Sequence, residues 1–350
     1  MKAMILNKVT DLEHDSEPLQ LAEVKKPEPE ESEVLLKVLA CGVCHTELDE
    51  IEGRTPPPSF PVILGHQVVG EVVERGKNAG LHNIGDRVGV GWIFSACGSC
   101  EFCMTGNENL CADFQATGRD FNGGYAEFMT VPEQFAIPVP SSISDTEAAP
   151  LLCAGAIGYR SMKLTELKNG QSLGLMGFGA SAHLVLKMVK HRLPESKVFV
   201  FARSKPERDF ALELGASWSG NIDQKPPVLL NAIIDTTPAW KPIERSMTYL
   251  RPGGRLVINA IRKENRDRSE LGTLEYESHL WQEKEIKSVA NVTRQDIIEF
   301  LDLAASIPIK PETQEFQLKE ANLALLELKT RKIRGAKVLQ LANLNRARKE

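Results

Sequence analysis

Ser172-Leu173-Gly174-Leu175-Met176-Gly177-Phe178 reads as an apolar strand that runs into the turn Gly177-Phe178-Gly179-Ala180-Ser181-Ala182. An apolar run of strand length meets a G-x-G-x-x-A turn, and the residues after it, Ser181 to Arg192, have helical periodicity. In such a turn the first glycine allows the tight reversal and the second lets a phosphate approach the backbone. The small third residue lets helix and strand pack closely. The helix N-terminus offers free N–H groups and a partial positive charge to a phosphate. By itself the pattern also fits a plain strand–helix turn; its setting points to a dinucleotide site.

Working outward, the alternation continues. Lys197 to Ala202 reads as a second strand and Pro206 to Leu214 as a helix, with proline at its start and Gly215 at its end. Leu229 to Ile234 reads as a third strand and Ile243 to Leu250 as a helix. After a Pro252-Gly253-Gly254 turn, Arg255 to Asn259 reads as a fourth strand. Alternating strands and helices predict a parallel sheet with helices on both faces, a doubly wound fold. Arg294 to Ala305 predicts a helix leaving this domain, and the last stretch mixes strand and helix. Before about residue 150 the pattern differs. Glu33 to Leu39, Gln67 to Val73 and Arg87 to Val90 read as strands separated by glycine and proline, as in a barrel or sandwich.

The chain has seven cysteines. Cys97, Cys100, Cys103 and Cys111 follow C-x2-C-x2-C-x7-C, a spacing that fits a tetrahedral zinc ion. An iron–sulfur cluster is the alternative, although no proline follows the last cysteine as in the ferredoxin run. An odd count argues against a disulfide framework. Composition sets further bounds. The 350 residues suggest two domains, and 42% hydrophobic with 25% charged is ordinary globular usage. A net charge of −5 argues against nucleic acid as main partner. No apolar run approaches the ~18 residues of a membrane helix, and Met1 to Asn7 is too short an apolar stretch for a signal peptide. A soluble, cytoplasmic protein is expected.

Several motifs together resemble the zinc-dependent alcohol dehydrogenases of the medium-chain dehydrogenase/reductase superfamily. They are Cys41-Gly42-Val43-Cys44-His45-Thr46-Glu47, Gly65-His66-Gln67-Val68-Val69-Gly70, Gly85-Asp86-Arg87-Val88, the four-cysteine loop, Cys153 and the glycine turn. The resemblance runs over nearly the whole chain. It implies a GroES-like β-barrel catalytic domain over residues 1–153, completed by 294–350, and a Rossmann domain over 154–293, with the active site in the cleft between. Two zinc ions per subunit are implied. Cys44, His66 and Cys153 fall on the catalytic ligands, Cys97, Cys100, Cys103 and Cys111 on the structural ones, and Cys41 is left as a packed thiol.

The resemblance also assigns roles. A primary alcohol takes an open zinc position, loses its proton and gives hydride to a nicotinamide cofactor; an aldehyde is reduced in reverse. Thr46 takes the alcohol proton, and Trp92 forms a wall of the substrate pocket. His45 and Arg334 reach the cofactor diphosphate. Gly177, Phe178, Gly179, Ala180, Ser181, Arg203, Ser204, Asn259 and Ala260 complete the cofactor site. Three positions depart from the family pattern: Gln67 replaces a glutamate, Glu47 the aspartate behind the zinc histidine, and Asp49 the histidine that ends a proton relay. The residue where NAD-specific members carry an acid, ~20 residues past the turn, is Ala202, followed by Arg203, Ser204 and Lys205. That favours NADP(H) over NAD(H). A homodimer or homotetramer is expected. Two alternatives stand against this reading: a quinone or enoyl reductase of the same fold without catalytic zinc, and a zinc-stabilised binding or scaffold protein.

Overall fold

The computed structural model describes residues 1–307, 309–330 and 335–341. The chain divides into two units, one of Met1–Ala156 with Val292–Glu350, the other of Ile157–Asn291.

The second unit is built on a six-stranded parallel sheet in the order Trp218–Gly220, Lys197–Phe201, Ser172–Met176, Leu230–Asp235, Leu250–Ile258, Glu285–Ser288. The strand leading into the glycine turn is therefore central. Its residues Leu173, Leu175 and Met176 are buried, as a strand covered on both faces requires. Crossover helices Ala180–Arg192, Lys205–Glu213 and Lys241–Tyr249 return the chain between strands. The Lys205–Glu213 helix starts where its chemistry dictates. The Ser204 hydroxyl accepts from the Glu207 N–H, the Glu207 carboxylate reaches back to the Ser204 N–H, and proline occupies the first turn. Phe201 stacks on Tyr249 at 5.3 Å and meets Trp218 edge-on at 5.1 Å, sealing one side of the sheet. The fourth strand differs from its reading. Leu250 pairs with Leu230 and Arg255 with Ala232, so the Pro-Gly-Gly segment bulges out within one strand instead of preceding it.

The first unit centres on a mixed sheet ordered Ile137–Pro138, Arg87–Val90, Val68–Arg75, Glu33–Val43, Ala336–Gln340, Thr313–Gln317, with Phe128–Pro132 also paired to Glu33–Val43. Only its last pair is parallel. The strand Glu33–Val43 runs four residues past its sequence reading. Residues 40–43 find their partner about 300 positions away in Ala336–Gln340. The helix Arg294–Ser306 packs in this unit, with Phe300 buried against Gly155. Among the described residues no helix is long and apolar enough to cross a membrane.

Candidate metal centre and cofactor turn

The strand Glu33–Val43 ends at Cys44, which starts the helix His45–Ile51. His66 is delivered by the turn between Val62–Ile63 and Val68–Arg75. Gly65 makes that turn at φ +99°, and a Cβ there would stand 2.4 Å from the Tyr125 ring and 2.9 Å from Cys41 Sγ. Only glycine fits this place, because the conformation is left-handed and the space is filled. Cys153 sits in a π-helical turn, Leu151–Gly155, of the kind that re-aims side chains at functional sites.

The three side chains converge. Their ligand atoms all lie within 4.8 Å of one another, and His66 Nε2 is 3.3 Å from Cys153 Sγ. Ligands of a tetrahedral zinc ion, at ~2.0–2.3 Å from the metal, stand about 3.5–3.8 Å apart, so two thiols and an imidazole here suit zinc. Behind them, Glu47 does two things at once. Its Oε2 accepts from the Cys44 N–H at 2.8 Å, and its Oε1 lies 2.7 Å from His66 Nδ1. The second contact is an ion-pair distance whose angle falls outside hydrogen-bond geometry. Sharing with Cys153, and then His66 against the cost of burial, pull the Cys44 thiol well below its usual range, toward the thiolate a metal needs.

The neighbours complete the picture. Thr46 Oγ1 is 3.7 Å from Cys44 Sγ. The Asp49 carboxylate pairs with Arg54 Nε at 2.5 Å. The Gln67 side chain lies over Gly42, where a Cβ would be 2.4 Å from Gln67 Oε1. Cys41 is a buried thiol, and burial pushes it well up. Trp92 is half-buried, tilted against Phe114 at 5.3 Å, its buried Nε1 without a hydrogen-bond partner among the described residues. His45 is exposed at the helix start. Sequence reasoning missed Glu50: fully buried, one turn past Glu47, with no hydrogen-bond partner at either carboxyl oxygen among the described residues.

Cys97, Cys100, Cys103 and Cys111 cluster in the same unit, again with all sulfurs within 4.8 Å. Cys97 Sγ lies 3.9 Å from Cys103 Sγ and 3.5 Å from Cys111 Sγ. Hydrogen bonding from the Ser99 and Cys100 backbone holds the Cys97 thiol down at about 6. All seven cysteines are free thiols, so both groups keep their donors for metal. The 3-10 turn Glu108–Leu110 ties this loop to the helix Arg294–Ser306, because Glu108 Oε1 accepts from Arg294 N and Nε.

In the second unit Gly177 takes φ +83°, and a Cβ on Gly179 would meet nothing within 4 Å. That is an open backbone at a helix N-terminus with no acid in its first turn, the setting a diphosphate needs. Ala182 is fully buried. Ala180 and Ser181 open the helix, and Asn259 Nδ2 reaches Ser181 Oγ at 3.4 Å, with Ala260 next. The Phe178 side chain turns inward against Phe210, leaving its backbone for any ligand. Arg203 is exposed, Ser204 is engaged in capping, and Lys205 pairs with Asp209. Arg334 lies outside the described residues.

Residues 30–141 match the family described as alcohol dehydrogenase GroES-like domain. A probable alcohol dehydrogenase of Mycobacterium tuberculosis is 43% identical over 330 residues, 93% of each chain. An alcohol dehydrogenase of Geobacillus stearothermophilus is 33% identical, covering 97% of this chain and 99% of its own. The chain belongs to the medium-chain alcohol dehydrogenase family. Among solved structures, a cinnamyl alcohol dehydrogenase of Sorghum bicolor superposes with TM-score 0.85 at 28% identity, over 98% of both chains. The alcohol dehydrogenase fold of a GroES-like unit and a Rossmann-like parallel sheet accounts for both sheets described above.

Proposed function

We propose that this alcohol dehydrogenase is zinc-dependent and moves hydride between a small alcohol, primary at its reacting carbon, or the matching aldehyde, and NADP(H). The observation that carries the reading is the convergence of Cys44 Sγ, His66 Nε2 and Cys153 Sγ, backed by Glu47. When bound, a zinc ion there would supply Lewis acidity toward a substrate oxygen, and a nicotinamide nucleotide the hydride acceptor or donor. The chain's own part follows. Cys44, His66 and Cys153 hold the metal. Glu47 keeps the His66 ring turned with Nε2 inward. Thr46 Oγ1 takes the alcohol proton, and Trp92 lines the substrate's path. Gly177, Gly179, Ala180 and Ser181 receive the diphosphate, with His45 and Arg334 as further cationic contacts. Asn259 and Ala260 border the nicotinamide end. Cys97, Cys100, Cys103 and Cys111 hold a second, structural zinc.

The preference for NADP(H) rests on Ala202 and Arg203. Ala202 presents no carboxylate to repel a 2′-phosphate, and Arg203 is an exposed guanidinium beside it. Arg208 Nη1 donates to the carbonyls of Ala202 and Arg203, which shapes that corner. The working form is expected to be a cytoplasmic homodimer or homotetramer.

Metal analysis with turnover is the test. The protein should carry two zinc ions per chain. Cys153→Ser should keep the loop zinc and the fold while losing turnover on every alcohol and aldehyde. One zinc per chain, with activity retained in Cys153→Ser, would sink the reading and favour a zinc-free reductase of this fold.

A further inference from the structure

In an open parallel sheet, ligands bind outside the carboxyl ends of the strands at the point where the chain turns from one side of the sheet to the other. Here that point lies between Ser172–Met176 and Leu230–Asp235, since Lys197–Phe201 adds on one side and Leu250–Ile258 on the other. Asp235 is the last residue of its strand, level with Met176 and Ile258. It stands beside the glycine turn: a Cβ on Gly177 would be 2.8 Å from Thr236 Oγ1. A fully buried carboxyl at this place opposes a doubly charged diphosphate.

Lys263 meets that charge. Its ammonium, on a side chain 8% exposed, bonds Asp235 Oδ2, the Thr237 carbonyl at 2.8 Å and the Ala239 carbonyl at 3.0 Å. All three donors are used. The other Asp235 oxygen accepts from Thr237 N at 3.0 Å and Thr237 Oγ1 at 2.8 Å. Lys263 comes four residues after Asn259, whose N–H donates to the Asp235 carbonyl at 2.7 Å. Further bonds stitch the same segment to the loop after Asp235. Glu264 N donates to the Pro238 carbonyl, Trp240 Nε1 donates to the Glu264 carbonyl, and Asp267 Oδ2 accepts from Trp240 N and Lys241 N. A buried ion pair adds little net stability over an apolar pair, so stability alone is a poor reason for this one.

We propose that Lys263 is a cofactor-positioning residue, which cancels the Asp235 charge at the sheet's switch point and tethers the segment that follows Asn259. The proposal rests on the cofactor site described under Proposed function. It gives Lys263 and Asp235 opposite electrostatic effects on one ligand.

The test is NADPH and NADH binding to the full-length, zinc-loaded protein, followed by fluorescence, with thermal melts of each variant. Lys263→Met should raise Kd roughly tenfold or more, the scale of one uncompensated charge near a diphosphate in a protein interior. Asp235→Asn leaves an unbalanced ammonium and should bind the cofactor no more weakly than wild type. Lys263→Arg keeps the charge and should stay near wild type. Both Lys263→Met and Asp235→Asn should melt lower. Equal weakening by these two would show a scaffold role only and overturn the proposal, as would an unchanged Kd in Lys263→Met. Wild-type protein that bound neither nucleotide would overturn the cofactor site itself.

Discussion

Glu47→Gln separates the two tasks of one side chain. Glutamine keeps an oxygen to accept from the Cys44 N–H, now bonded at 2.8 Å to Glu47 Oε2, and so preserves the helix start. It removes the charge 2.7 Å from His66 Nδ1. Both residues are essentially sealed from solvent, with side chains 0% and 1% exposed, so water cannot replace that charge. Loss of such a partner costs a metal site about 10- to 100-fold in affinity, or roughly 1.4–2.7 kcal/mol. Glu47→Ala loses the backbone bond as well, and a lost cap adds about 1 kcal/mol in fold stability. The assay is zinc competition against a chromophoric chelator, paired with thermal melts of the zinc-loaded protein. Glu47→Gln should bind the catalytic zinc at least about tenfold more weakly, with a melt closer to wild type than that of Glu47→Ala. The reasoning fails if Glu47→Gln holds zinc as tightly as wild type while Glu47→Ala does not, because the carboxylate would then act on the helix alone.

Three further outcomes are expected. Cys100→Ser should release one zinc per chain and lower the melting temperature, since a structural site couples metal binding to folding; normal stability with both zincs retained would refute the loop's assignment. Ala202→Asp with Arg203→Ile should move the ratio of kcat/KM toward NADH, and wild type that already favours NADH would refute the reading of that corner. Burial holds the His183 imidazole down at about 4 in the fold, against an ordinary value of 6.5. Its stabilising effect is therefore complete above pH 6.5 and is lost as pH falls toward 4, by roughly 3 kcal/mol in all. Chemical denaturation between pH 7 and 4 should show a slope that His183→Leu lacks, and equal slopes would count against it.

What the sequence makes legible here is what lies close along the chain. The glycine turn and the four-cysteine loop announce themselves because each packs its chemistry into fifteen residues or fewer. Cys44, His66 and Cys153 carry no such local signal, and only resemblance to a family joins them before the fold does. The strand Glu33–Val43 reads short because its last residues are strands only by virtue of a distant partner. Lys263 and Asp235 are separated by a helix and a strand, and parallel register brings them together.

The helix His45–Ile51 shows the limit most plainly. By composition His-Thr-Glu-Leu-Asp-Glu-Ile is a charged, solvated segment, yet Glu47, Asp49 and Glu50 are 0%, 3% and 0% exposed. Burying three carboxyls on seven residues is tolerable only if each meets a different condition. Glu47 faces an imidazole and a backbone N–H. Asp49 faces a guanidinium. Among the described residues Glu50 has no hydrogen-bond partner at either oxygen; burial, and then the neighbouring Glu47 charge, push its carboxyl well above the ordinary range. Two carboxylates one helical turn apart in such a place do not both stay ionised. Burial raises Glu47 too, but His66 sits against it and opposes the rise, whereas Glu50 has no such imidazole beside it and is pushed further. The helix behind Cys44, His66 and Cys153 therefore places three carboxyls in three different settings, an arrangement set by what the fold packs against each residue and not by the residues' own character.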